Sequence, residues 1–105
     1  TLGIVRDERA ASILAGGMGD ESPRVRAEIC AALSVYRSRI VMDTLMETLK
    51  KDKDTPVRTA ALYGLLSMKD KKHLLPLFDI FAVEKDPLFR DILRFYLRKY
   101  LDQYL

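Results

Sequence analysis

The chain of 105 residues predicts an all-α fold, a right-handed α-solenoid of six helices arranged as antiparallel pairs. Three observations predict it. Apolar residues recur every three to four positions, the period of one buried helix face, and no segment alternates with period two as a half-buried strand does. The same columns of residues return every 32 positions. An N-cap residue followed by proline opens one helix in each unit, at Ser22-Pro23, Thr55-Pro56 and Asp86-Pro87.

The repeat is anchored on arginine. Arg26, Arg58 and Arg90 are 32 apart, each preceded by an apolar residue (Val25, Val57, Phe89) and, six positions earlier, by an acid (Asp20, Asp52, Glu84). After each arginine come Ile29, Ala61 and Leu93, then Leu33, Leu65 and Leu97. Ile13, Leu45 and Leu77 form another column in the same register, as do Ala10, Met42 and Leu74. Seven columns sharing one offset mark a repeat in which each unit stacks on its neighbours to complete a core.

Taken in order, residues 1–19 read as the end of one repeat, with "TLGIV" closing a first helix and "RDERAASILAG" forming a second. Gly16-Gly17-Met18-Gly19 then reads as a helix C-terminal turn; it lacks the preceding strand and following Lys-Ser/Thr of a phosphate loop. Residues 20–51 and 52–83 are complete units of first helix, short turn, second helix and short turn. Ser38 and Asp70 stand as caps of the second helices. In the first helix from Thr55, the residues Val57, Ala60, Ala61, Gly64, Leu65 and Met68 follow one face, and in the second helix of the preceding unit Met42, Leu45, Met46 and Leu49 do so. Pro76 falls in the first turn of its helix, where proline is tolerated. Residues 84–105 form a longer capping helix whose stripe runs through Phe89, Ile92, Leu93, Tyr96, Leu97, Tyr100 and Tyr104. The expectation is one domain, forming the C-terminal portion of a larger solenoid that the chain enters in mid-repeat.

"DESPRVRAEICAAL", "DKDTPVRTAALYGLL" and "EKDPLFRDILRFYL" share an acid six positions before an arginine and, between the two, a proline whose place slips by one residue, as loop-length variation allows. They lack the histidine and hairpin glycine of ankyrin repeats, and there is no Trp for a tetratricopeptide signature. The pattern resembles the short HEAT-like repeats of the phycobilisome-lyase type over nearly the whole chain. That resemblance implies a scaffold or docking protein whose second helices line a concave face.

Composition bounds the rest. A 49% hydrophobic, 31% charged chain is that of a folded protein, and a net charge of +3 does not by itself imply nucleic acid. The single cysteine excludes an internal disulfide and agrees with a reducing compartment such as the cytoplasm. No apolar run approaches the length of a membrane span.

Catalytic chemistry is not expected. His73 is the sole histidine, whereas the di-iron hydroxylases among HEAT-like proteins rely on several His-Glu pairs, so no metal site or cofactor is assigned. Cys30, in the column of Leu62 and Arg94, has no histidine partner and reads as a buried thiol. The acid–arginine ladder of Asp20, Arg26, Asp52, Arg58, Glu84 and Arg90 reads as structural. An acid near a helix N-terminus meets the positive end of the dipole, and the arginine bridges to it or to the next unit's acid.

Two surfaces are candidates for a protein partner. The side of the second helices opposite their apolar stripe presents Thr44, Glu47, Lys51, Lys72 and Asp79. The turns from first to second helix gather Arg37, Arg39, Lys69, Lys71 and Lys72 into a basic rim. Outward-pointing Tyr63, Leu66 and Phe95 offer a further apolar contact. A non-catalytic, protein-binding scaffold is the leading expectation. The alternatives are nucleic-acid binding through the basic rim, with steep salt dependence, and a subunit of a lyase-type enzyme whose chemistry is supplied by further residues of the protein or by another chain.

Overall fold

The computed structural model describes residues 2–36, 38–67, 72 and 74–104. The predicted Asp70 cap and the stripe residue Met68 fall outside them. The described residues form six α-helices: α1 (Leu2–Gly16), α2 (Pro23–Leu33), α3 (Arg39–Lys51), α4 (Thr55–Ser67), α5 (Leu74–Val83) and α6 (Pro87–Tyr104), with a 3₁₀ turn at Gly17–Gly19 after α1. No strand occurs among them. The chain divides into two compact units, Thr1–Met68 and Lys69–Leu105.

In the first unit the local signals and the packing agree for most elements. Ser22 Oγ accepts the Val25 N–H at 3.4 Å and Pro23 takes the first helical position of α2, where a missing N–H costs nothing. Ser38 Oγ accepts the Val41 N–H at 3.4 Å and starts α3. That helix buries Val41, Leu45, Thr48 and Leu49, at i, i+4, i+7 and i+8, and ends on Lys50 and Lys51 against the negative end of its dipole. The Thr48 hydroxyl is satisfied inside the core by donating to the Thr44 carbonyl at 2.8 Å. From α4, Val57, Ala61, Leu62, Gly64 and Leu65 are buried. Each leucine removed from water here contributes roughly 1.5–3 kcal/mol.

Packing within this unit is layered. α2 lies against α4, α1 lies against α3, and each second helix also packs on the first helix that follows it, α1 on α2 and α3 on α4. By contrast α2 and α3, the two helices of one sequence repeat, touch little. The tight hairpin thus joins α3 to α4 across the short turn 52–54, so the structural pair is offset by one helix from the sequence unit.

Four expectations are corrected. Residues 2–16 form one continuous helix rather than two pieces meeting near Val5. Among its described side chains Ala11 is fully buried and Leu14 and Ala15 are half-buried, while Ile13 is 78% exposed despite sharing a column with the fully buried Leu45 and Leu77. An uninterrupted helix carries its own phase, and here that phase turns position 13 outward. Val25 is exposed although its counterparts Val57 and Phe89 are buried. The columns that hold Leu49, Lys50 and Lys51 in the next unit hold Gly17, Met18 and Gly19 ahead of α2, so fewer side-chain atoms are available to cover it. Lastly, Thr55 is the first residue of α4 rather than its cap. The Val57 and Arg58 N–H groups donate to the Asp54 carbonyl at 3.1 Å, so Asp54 takes the cap position.

In the second unit, Asp86 Oδ1 accepts the Leu88 N–H at 3.1 Å and Pro87 opens α6, as the sequence predicts. Phe89, Leu93, Leu97 and Tyr100 are buried along that helix, and α5 contributes Leu77 and Ile80. The side chain of Tyr104 lies outside the described residues. No helix among the described residues is long and apolar enough to cross a membrane.

Close helix approach in the first unit rests on Gly64. A Cβ there would stand 3.1 Å from Leu45 Cδ1 on α3 and 3.3 Å from Ser34 Cβ at the C-terminal cap of α2. Gly64→Leu is expected to cost about 1–3 kcal/mol by overpacking and to lower the thermal midpoint by roughly 5–15 °C. A circular-dichroism melt within about 2 °C of the parent would show that the α2–α4 contact is looser than these distances require.

Candidate functional site

The acid–arginine ladder is built in two steps, of which the first is local. Asp20 Oδ1 accepts the Ser22 N–H at 2.8 Å, Asp52 Oδ1 accepts the Asp54 N–H at 2.9 Å, and Glu84 Oε2 accepts the Asp86 N–H at 3.2 Å. Each acid therefore folds its own turn and presents the capping residue of the next helix. Those capping residues, Ser22, Asp54 and Asp86, are themselves 32 apart, which identifies the prolines rather than the caps as the positions that slip by one residue.

The second step is long-range. Arg26 on α2 donates through Nη1 to Asp52 Oδ2 at 2.7 Å and through Nη2 to Asp54 Oδ2 at 2.6 Å. The Arg26 and Asp52 side chains are only 9% and 7% exposed. These are short, charge-assisted bonds in a setting where water does little to screen them. The hydrogen bond to Asp54, ahead of the charge of Asp52, holds the guanidinium above the ordinary arginine range despite its desolvation. Asp52 thus spends one oxygen on its own turn and the other on the neighbouring repeat. The other two arginines are used differently. Arg58 Nε donates to the Leu49 carbonyl at 2.8 Å, at the carbonyl end of α3, and the Arg90 guanidinium rests 4.9 Å above the Phe81 ring.

Of the partner-binding candidates, Thr44, Glu47 and Lys51 all lie on α3. Lys51 Nζ is 2.9 Å from Glu47 Oε1 on the exposed side, and that hydrogen bond lowers the Glu47 carboxyl below its ordinary value and raises the Lys51 ammonium above its own. Glu47 and Lys51 line two open depressions in the first unit. One, about 390 Å³, reaches toward Met18, Thr48 and Lys53, and the other, about 430 Å³, toward Asp43, Met46 and Lys50. Thr44 is half-buried, its carbonyl engaged by Thr48, and contributes less surface than the sequence pattern implies. In the second unit Lys72 and Asp79 are exposed.

The basic rim is described only in part. Arg39 is exposed at the start of α3, 4.0 Å from Asp43, which offsets some of its charge. Arg37, Lys69 and Lys71 lie outside the described residues, as does His73. Tyr63 and Phe95 are largely exposed on α4 and α6, while Leu66 is half-buried.

Cys30 is fully buried beneath α4. Burial, reinforced by the nearby Asp52 charge and opposed by Arg26, pushes its thiol up to about 11. A thiol so held is a packing group and a poor nucleophile at neutral pH. Asp54 is the ladder member that the column reading misses; its spacing from Ser22 and Asp86 is the signal that finds it.

The family model for HEAT repeats matches residues 17–98, which takes in α2 to α5 and most of α6. Neither the curated proteins nor the solved structures provide a match.

Two outcomes follow from this geometry. Arg26→Met leaves two carboxylates facing a guanidinium that is gone, and it is expected to lower the thermal midpoint by roughly 10 °C or more. The triple variant Arg26→Met, Asp52→Asn, Asp54→Asn should recover a substantial part of that loss; equal midpoints for the single and triple variants would refute the coupling. For Cys30, the native state keeps its proton up to about pH 11 while the unfolded chain releases it near 9.0. The stabilisation this represents is complete below the unfolded value and falls away as pH rises through the folded one. Urea titrations from pH 8 to 11 should show the parent losing stability relative to Cys30→Ala, and parallel curves would overturn that assignment.

Proposed function

The chain belongs to the family of HEAT repeats, and on that premise we propose that it acts as a non-catalytic scaffold that binds a protein partner. HEAT repeats mediate protein–protein contacts and scaffolding. Within that role, the proposed binding face is the exposed side of the second helices, and the observation that carries it is the position of Glu47 and Lys51 between two open depressions on α3. Side chains on a helix pinned from behind by Leu45 and Leu49 are presented in a fixed arrangement, which limits the ordering cost of association. Both signs of charge are present with half-buried Met46 between them, which favours a mixed polar and apolar protein surface over the uniform polyanion of a nucleic acid. In the second unit Asp79 is exposed on α5 and Lys72 just ahead of it, and an enzyme role would need chemistry supplied by further residues of the protein or by another chain.

The test is a quantitative pull-down from cell extract comparing the parent with two variants. Glu47→Lys with Lys51→Glu keeps an ion pair on α3 but inverts the charge pattern; it is expected to lose the captured proteins about tenfold or more while its melting curve stays close to the parent. Arg37→Glu, Lys69→Glu and Lys71→Glu should retain them. Retention by the first variant and loss by the second, with nucleic acid in the parent's eluate, would transfer the function to the basic rim.

A further inference from the structure

Within the second unit, α5 and α6 leave a groove of about 480 Å³ whose floor is apolar, formed by Phe78, Phe81 and Leu97. Arg90, Arg94 and Arg98 stand along its α6 wall. Their i, i+4, i+8 spacing places the three guanidinium groups in one row about 6 Å apart along the helix. All three are exposed. Arg90 lies over Phe81, Arg94 pairs with Asp91 at 2.7 Å in a solvated position, and among the described residues no carboxylate lies within pairing distance of Arg98.

The repeat shows what such a surface accepts. An offset of two units, 64 residues, places Arg90, Arg94, Leu97 and Arg98 in the columns of Arg26, Cys30, Leu33 and Ser34. In the first unit those columns are covered by the helix pair that follows: Cys30 and Leu33 are fully buried, Gly64 of α4 lies against Cys30 and Ser34, and Arg26 receives two carboxylates. In the second unit Leu97 is buried, yet the polar columns around it stay open and two of them carry arginine in place of cysteine and serine. Long cationic side chains at those positions exclude the close backbone approach that Gly64 makes. They call instead for an element that brings its own carboxylates.

We propose that this groove docks an acidic amphipathic helix of a partner protein, with apolar side chains on the Phe78–Leu97 floor and carboxylates at helical spacing on Arg90, Arg94 and Arg98. Charge complementarity supplies the sign of the partner, and the matching rise of two helices supplies its conformation. The proposal rests on the protein-binding reading but uses α5 and α6 rather than α3, so failure of this groove and failure of the α3 face are told apart by separate variants.

The test uses the 105-residue chain and a fluorescein-labelled synthetic peptide of about 18 residues, or five helical turns. The peptide carries Glu at three successive i, i+4 positions and Leu or Phe on the adjoining face. Fluorescence anisotropy should show saturable binding that weakens as salt rises. Arg94→Glu with Arg98→Glu, both solvent-facing substitutions, should weaken it about tenfold or more without shifting the melting curve. The Glu47→Lys, Lys51→Glu variant should bind the peptide as the parent does. Absence of saturable binding, undiminished binding by Arg94→Glu/Arg98→Glu, or equal binding of a Glu→Gln peptide would overturn the proposal. Loss of binding in the α3 variant alone would overturn it too, by placing the peptide on the other face. Sedimentation velocity showing parent self-association that the same two arginine substitutions abolish would assign the groove to a second copy of the chain, again against the proposal.

Discussion

An arginine turned toward the protein interior sets the terms for the first unit. Desolvating a guanidinium costs several kcal/mol, and Arg26 recovers it only where two carboxylates arrive together, Asp52 at 2.7 Å and Asp54 at 2.6 Å. Sliding the α3–α4 hairpin along α2 by a single turn, about 5.4 Å, would strand that charge. The apolar contacts of α4 with α2 tolerate a range of registers, since leucine and alanine are not directional; the ion triad does not. Its weakness as a source of net stability and its severity when broken are two sides of the same desolvation cost. The Arg26 Nε, buried without a hydrogen-bond partner among the described residues, shows that even here the satisfaction is incomplete.

The two surfaces argued to bind partners are what this stacking leaves over. On α3, Leu45 and Leu49 face inward, and the helical period then obliges Glu47 and Lys51 to face solvent. On α6, Phe89, Leu93 and Leu97 are buried, and Arg90, Arg94 and Arg98, each one position on, emerge in a row. Among the described residues neither surface carries a thiol or an imidazole. The one cysteine is sealed under α4, and its thiol is stabilised in the protonated form. What such faces offer is a spacing of charges on helices held from behind, which is a property of the repeat.

Much of the architecture was legible in the residues themselves. The columns through Arg26, Arg58 and Arg90 located α2, α4 and α6, and the caps Ser22, Ser38 and Asp86 fixed three helix starts because cap chemistry is local. Thr55 misled because a Thr-Pro pair satisfies the same local rule as the residue before it; Asp54, 32 residues from both Ser22 and Asp86, takes the cap position and also receives Arg26 from 28 residues away. Ile13 misled for the opposite reason. Column logic assumes that every unit has equivalent neighbours, and α1 runs as one helix with its own phase.

The sequence by itself determined the helix count, most of the buried stripes and the acids and arginines that recur every 32 residues, since these follow from periodicity and short-range hydrogen bonding. Only the tertiary structure decided which helices form the tight pair and which carboxylates Arg26 takes. It alone showed that Glu47 and Lys51 share two depressions, and that the arginines of α6 border an open groove. Those outcomes depend on which faces meet across long stretches of chain, and a one-dimensional pattern specifies that a face is apolar without specifying what covers it.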